Sequence, residues 1–164
     1  MDRLLDVIRT FDGLLELAPR PGSEHPEISW GDHFFYYAPD GRLPRHEQPY
    51  ATIVTKDYPG DDRCDLDRAG RWRLNVHVGA AAFAELTGED PRATGAPRDW
   101  TAVDEVMPHP LYRAQGWIAF INPSATADGV AAGLLRRAHA DARRRAERRD
   151  ARRDGLGGRG DERG

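Results

Sequence analysis

Three observations predict an α+β protein built on an antiparallel sheet. Residues 28–38, 50–56 and 71–78 alternate apolar and polar side chains at a period of two, as strands with one buried face do. Short, turn-rich polar segments separate them, which favours antiparallel neighbours over parallel crossovers. Helical stripes lie at both ends of the chain, ready to cover one face of such a sheet. The expected order is α-β-β-β-α-β-α, with about four strands and the helices on one face.

The first helix is read from Leu4, Leu5, Ile8, Phe11 and Leu15, with Asp2 as its N-cap. Asp12-Gly13 ends it, and Leu14-Leu15 continues as a short extended piece. The first strand is ISWGDHFFYYA, 28–38. Ile28, Trp30, Phe34 and Tyr36 form its expected core face; Ser29, His33, Phe35 and Tyr37 form the other. Pro39-Asp40-Gly41 signals a turn, and YATIVTK, 50–56, completes an antiparallel hairpin. An acidic loop follows, 58–70, and reads as solvated. In RWRLNVHV, 71–78, Trp72, Leu74, Val76 and Val78 point inward, while Arg71, Arg73, Asn75 and His77 form the polar face. Residues 80–86 make a short helix ended by Gly88. Residues 103–112 suggest a helical turn before Pro108 and Pro110. WIAFI, 117–121, is the fourth strand. The last helix starts near Thr126 or Asp128, carries a stripe of Val130, Ala131, Leu134, Leu135, Ala138 and Ala142, and runs to about residue 150. Asp141 and Arg145 stand at the favoured i,i+4 spacing.

The chain of 164 residues has the length of one domain, placed at residues 1–140, with a charged helix end and disordered Arg/Gly-rich tail over 141–164. Its net charge of −3 conceals an asymmetry. Residues 1–135 hold 13 basic and 21 acidic side chains, net −8; residues 136–164 hold 11 arginines and six acids, net +5. A single cysteine, Cys64, excludes an internal disulfide and fits a reducing compartment. No apolar run reaches the roughly 18 residues that span a bilayer. The N-terminal MDRLLDVIRTF has acids inside its apolar run and is no signal peptide. The expected location is the cytoplasm, with no membrane partner.

Several segments are distinctive: PGSEHPEISWGDHFFYYAPDG (21–41), PYATIVTKDYPGDD (49–62), GRWRLNVHVG (70–79), HPLYRAQGWIAFINP (109–123) and AGLLRRAHADARRR near the end. They resemble an uncharacterised, mainly actinobacterial family of unknown function, and the resemblance covers most of residues 1–150. It implies no activity. More distantly, the element order and the GWIAFINP strand before a final helix resemble the MmcQ/YjbR-like proteins. That likeness implies a compact α+β fold and, from some of its members, a link to DNA binding. The chain departs from that pattern at Gln115-Gly116-Trp117, where a glycine replaces the histidine of the closing HWI motif, and it has one lysine, Lys56, against 23 arginines.

Recognisable catalytic motifs are missing. Gly155, Gly157 and Gly160 match G-x-G-x-x-G but lack the preceding strand and following helix that make it a phosphate cradle, so no cofactor is expected. The six histidines form neither H-x-H nor H-E-x-x-H, and the acidic loop lacks calcium-loop spacing, so no metal is expected. No serine sits in a G-x-S-x-G elbow. Carboxylates around Cys64 are expected to raise its pKa and quiet the thiol. The residues that point to binding lie on the strands and their ends: Trp30, Asp32, Lys56, Asn75, His77, His109 and Tyr112. Asp32 interrupts an aromatic run, while Asn75 and His77 share a polar face.

The favoured function is a non-enzymatic binding or adaptor domain that uses an aromatic sheet face for a small ligand or protein partner. The alternative is a small enzyme with a pocket around His77 and Lys56. A third reading is weak nucleic-acid binding through the arginines of 143–164, although interspersed acids blunt that field and no aromatic follows Phe120 to stack on bases.

Overall fold

The computed structural model describes residues 1–124 and 128–157. It is an α+β fold on a six-stranded, wholly antiparallel sheet. In chain order the elements are α1 (Asp2–Ile8), β1 (Leu14–Leu17), β2 (His33–Tyr37), β3 (Ala51–Val54), β4 (Arg73–His77), α2 (Gly79–Thr87), β5 (Val106–Pro108), β6 (Trp117–Ile121) and α3 (Asp128–Gly157). Their order across the sheet is β1-β2-β3-β4-β6-β5. Four strands form a meander; β6 then adds beside β4, and β5 closes the far edge.

Two strands exceed the sequence expectation. β1 is the extended piece after Gly13, paired with β2 from Leu14↔Tyr37 to Leu17↔Phe34. β5 stands where a helical turn is expected. Pairing with Ile118–Phe120 overrides local propensity there, and Pro108 is tolerated because β5 is an edge. β2 starts later than the alternation suggests. Residues Glu27–Ser29 form a 3-10 turn, and Gly31 at φ 87° bends the chain, so Trp30 and Asp32 do not belong to the strand.

The bend also changes which aromatics face the core. Phe35 is fully buried among the helices, while Phe34 and Tyr36 face the opposite side. The core joins Leu4, Leu5 and Ile8 of α1, Phe83 of α2, and Ala131, Leu135 and Ala138 of α3 to Phe35, Ile53, Leu74, Val76, Ile118 and Phe120. All three helices therefore cover one face. In α3 the expected stripe is buried except for Val130, which is exposed. Asp2 sits in the first turn of α1, with Met1 at the cap. α3 continues to Gly157, and Ala142 and Ala146 are still buried. Of the charged helix end and tail expected over 141–164, residues 141–157 are helical and 158–164 lie outside those described, as does Gly160 of the glycine pattern.

One polar link ties α3 to the sheet and to the end of α1. His139 Nε2 lies 2.9 Å from the carbonyl of Asp12, and its Nδ1 lies 3.0 Å from the Tyr50 hydroxyl. Nε2 must donate to the carbonyl, so Nδ1 accepts from Tyr50. Tyr50→Phe removes that donor and leaves a buried imidazole nitrogen unpaired. Urea unfolding is expected to show a loss of about 1–2 kcal/mol; an unchanged midpoint would mean that solvent reaches Nδ1.

Gly116 is the tightest backbone approach. At φ 79° its carbonyl accepts the amides of Val78 and Gly79, at 2.9 and 3.2 Å, and a Cβ would lie 2.7 Å from the Gly79 carbonyl carbon. The glycine at this position is thus required where the β5–β6 connection presses on the start of α2.

Candidate functional site

The helix-free face of the sheet carries the polar side of β4, and it is not the solvated surface that alternation suggests. Arg73 is 1% exposed and Asn75 3%. The acidic loop is the reason. It buries Cys64 and Leu66 against Val54, Met107, Ala119 and Ile121, forming a second apolar cluster, and so brings Asp61 over Arg73. Asp57 pins the loop by accepting the amide of Leu66 at 3.0 Å, and Asp67 accepts the amide of Asp57 at 3.0 Å.

Arg73 is the hub of what lies beneath. Its Nε donates to Asn75 Oδ1 at 2.8 Å, Nη1 to Asp61 Oδ1 at 2.9 Å and to Cys64 Sγ at 3.2 Å, and Nη2 to Asp61 Oδ2 at 2.5 Å. Burial alone would raise the Asp61 pKa, but hydrogen bonds and charge from Arg73 outweigh it and hold the carboxyl below its usual range. Burial likewise opposes the charge of Arg73, and Asp61 more than compensates. Asn75 Nδ2 donates to Thr52 Oγ1 at 3.0 Å, across the Thr52↔Asn75 register of β3 and β4. The Cys64 thiol is pushed up mainly by burial, with neighbouring carboxylates a smaller cause than the sequence suggests, and Arg73 works against both.

His109 joins this group from the end of β5. Its Nδ1 accepts the amides of Leu111 at 3.1 Å and Tyr112 at 3.2 Å, and its ring lies 4.8 Å from that of Tyr112. Burial and the nearby Arg73 charge push its pKa down to about 3. It is neutral near pH 7.

Above these residues lies a cavity of about 810 Å³. Phe34 and Tyr36 of β2 and Thr52 of β3 continue its floor. Ile28 and Ser29 of the 3-10 turn, Tyr58 of the acidic loop, and Tyr112 and Trp117 around the β5–β6 connection supply its walls. Of the residues singled out from the sequence, Asn75, His109 and Tyr112 line this cavity.

Trp30, Asp32 and Lys56 form a separate group beside it. Asp32 is fully buried; its Oδ1 accepts the Thr55 amide and hydroxyl, both at 2.8 Å, and lies 3.5 Å from Lys56 Nζ. Lys56 Nζ also donates to the Trp30 carbonyl at 2.5 Å, and the Trp30 indole donates to the His25 carbonyl at 3.1 Å. Tyr58 connects the two groups, since it lines the cavity and donates its hydroxyl to Asp32 Oδ2. Burial, then Asp32, raise the Tyr58 pKa.

His77 stands apart, at the far end of β4, with its ring 5.6 Å from Trp117 and its pKa lowered by burial and by Arg145. Extending the Val54↔Arg73 register puts Lys56 opposite residue 71, six positions from His77 or about 20 Å along the sheet. These two side chains do not converge.

Arg73, Asp61, Thr52, Tyr58, Phe34, Tyr36 and Trp117 join the site without having been singled out. Arg73 had a signal: it shares a face with Asn75 and is flanked by Trp72 and Leu74, where a buried guanidinium demands a carboxylate. Asp61 had none, being one of several acids in its loop. Among the described residues, no three of His, Cys, Asp or Glu gather as metal ligands would.

The arginines of α3 are partly paired: Arg143 with Glu147 at 2.8 Å and Arg144 with Asp141 within the helix, and Arg149 with Glu47 of the segment between β2 and β3. Arg144 thus takes the partner that spacing offers to Arg145. Arg145, Arg148, Arg149, Arg152 and Arg153 line a common hollow on the helix. No helix among the described residues is long and apolar enough to cross a membrane.

The profile of a family of unknown function, DUF6194, matches residues 1–151, which include every element that builds the cavity. No curated protein and no solved structure matches the chain.

Proposed function

The chain belongs to the DUF6194 family, a family of unknown function, and from that premise we propose that it is a non-enzymatic binding domain for a small organic molecule. The observation that carries the reading is the cavity on the helix-free face, an aromatic-walled space with convergent buried polar groups on its floor. The titratable groups there suit recognition better than turnover. A general base needs a free lone pair and a pKa near the working pH. His109 spends its Nδ1 lone pair on two backbone amides, and Asp61 is locked to Arg73.

An enzyme centred on His77 and Lys56 gains no support from their separation. Nucleic-acid binding through α3 rests on charge alone, and the likeness to MmcQ/YjbR-like proteins rests on motif alone; neither is needed for this reading. A cytoplasmic setting agrees with the reduced, buried Cys64.

The test is a thermal-shift screen of aromatic small molecules, followed by amide NMR mapping. Hits are expected to raise the melting temperature and to shift resonances of β2–β4 and the 109–117 connection. Ser29→Trp, which adds a ring at the wall, is expected to abolish those shifts. Hits that map only to α3, or that the protein consumes, would overturn the proposal.

A further inference from the structure

Charge alone does not choose a partner, but its placement on α3 does. The helix leaves the core at Ala146, and residues 147–153 are exposed. Arg145, Arg148, Arg149, Arg152 and Arg153 stand at i, i+3, i+4, i+7 and i+8, which is one face of a helix, and they line a common hollow of about 420 Å³. Glu147 and Asp150 do not share that face. They follow Arg145 by two and five positions, about 200° and 140° around a helix of 3.6 residues per turn. The blunting expected from a mixed sequence is therefore largely confined to the far side, where Arg143 takes Glu147 at 2.8 Å. Asp141, one turn before the hollow, is taken by Arg144. Among the described residues Arg149 has a carboxylate, Glu47, while Arg145, Arg148, Arg152 and Arg153 have none.

Like charges three and four positions apart weaken a helix, and here they run along about 12 Å of it. An anion laid along the row removes that repulsion. Which anion follows from what the face lacks. No apolar side chain lines the hollow. It therefore offers neither the dry core of a protein interface nor the apolar stripe of a helix lying on a lipid surface. A guanidinium fork matches two oxygens of a phosphate. A row of forks fits a polymer of closely spaced phosphates, whose binding gains from the release of condensed counterions rather than from burial. No aromatic ring lines the hollow to stack on bases, so the contact stays with the backbone of a duplex.

We propose that the arginine face of α3 is a sequence-independent site for the phosphate backbone of double-stranded nucleic acid. α3 packs on the opposite side of the sheet from the cavity. The site therefore does not depend on the cavity holding a ligand.

The experiment titrates the full chain into two short, labelled DNA duplexes of unrelated sequence and follows fluorescence anisotropy. If the four unpaired arginines each neutralise one phosphate, the logarithm of affinity falls with the logarithm of salt at a slope of about −4, roughly 100-fold between about 50 and 200 mM. The two duplexes are expected to bind alike. Arg148→Gln/Arg152→Gln changes exposed positions to another good helix former, so the fold is kept. It is expected to lower the slope by about 2 and to weaken binding at low salt at least ~10-fold. Arg143→Gln/Arg144→Gln makes the same change in net charge on arginines that already have partners in the helix, and is expected to stay within about two-fold of the native chain. Equal losses in the two variants would overturn the assignment to this face. Absence of binding at low salt, or strong preference for one duplex, would overturn the proposal. So would tighter binding of a polyglutamate of matched charge or of anionic phospholipid vesicles, which would give the face to an acidic protein or to a membrane.

Discussion

Asp61→Ala is expected to cost about 3–5 kcal/mol, because it strips the partner from a guanidinium that the fold keeps out of water. Domains of this size are stable by only about 5–15 kcal/mol, so the variant should sit near the limit of folding at ambient temperature. The large effect does not mean that the ion pair is itself a strong source of stability. Most of it is the penalty of leaving Arg73 buried, 1% exposed, with two of its bonds unmade. The double variant Asp61→Ala/Arg73→Met separates these quantities. It should recover much of the loss, since a thioether side chain of similar length fills the same space beside Cys64 and Ile121 without a charge. Urea unfolding of the three proteins checks this. A single-variant loss below about 1 kcal/mol would show that solvent reaches the guanidinium, in the range typical of exposed pairs.

Acid should destabilise the protein well before its carboxylates are protonated. His109 is held down at about 3 in the folded chain and returns to its ordinary value of about 6.5 on unfolding. Above pH 6.5 neither state takes up a proton, and the contribution is full. Between 6.5 and about 3 only the unfolded chain binds the proton, so stability falls by about 1.4 kcal/mol for each pH unit. His77 and His139 are also lowered by burial and act in the same direction. His109→Asn isolates the first contribution. Between pH 7 and 4.5 the native protein is expected to lose about 2–3 kcal/mol more than the variant, as measured by urea midpoints. Equal losses in both would mean that His109 titrates as an exposed histidine does.

The periodicities that located β3, β4, β6, α2 and α3 are local, and local pattern was sufficient for them. β5 was invisible because only its pairing with Ile118–Phe120 makes it a strand. Phe34 and Phe35 show a different limit. Both faces of β2 are aromatic, so alternation separates the faces without saying which is inside; the bend at Gly31 and the helices decide. In the site, Asn75, His109 and Tyr112 were legible as polar or amphipathic residues at strand positions and ends. Their neighbours were not, because Asp61 reaches Arg73 only after the loop folds back on Cys64 and Leu66. Trp30, Asp32 and Lys56, read from the sequence as candidate binding residues, lie beside the cavity in a network of their own.

The two ends of the sheet have a bearing on how the protein behaves at high concentration. An open edge is a template on which another chain can add a strand. β5, at one edge, has three residues and ends in Pro108, which has no amide hydrogen to offer a newcomer. β1, at the other, has four residues and carries Glu16, whose charge is engaged by Arg9 at 2.8 Å and by His33 at 2.7 Å. The sheet is therefore short and blunted on both sides, a geometry that discourages edge-to-edge fibril growth.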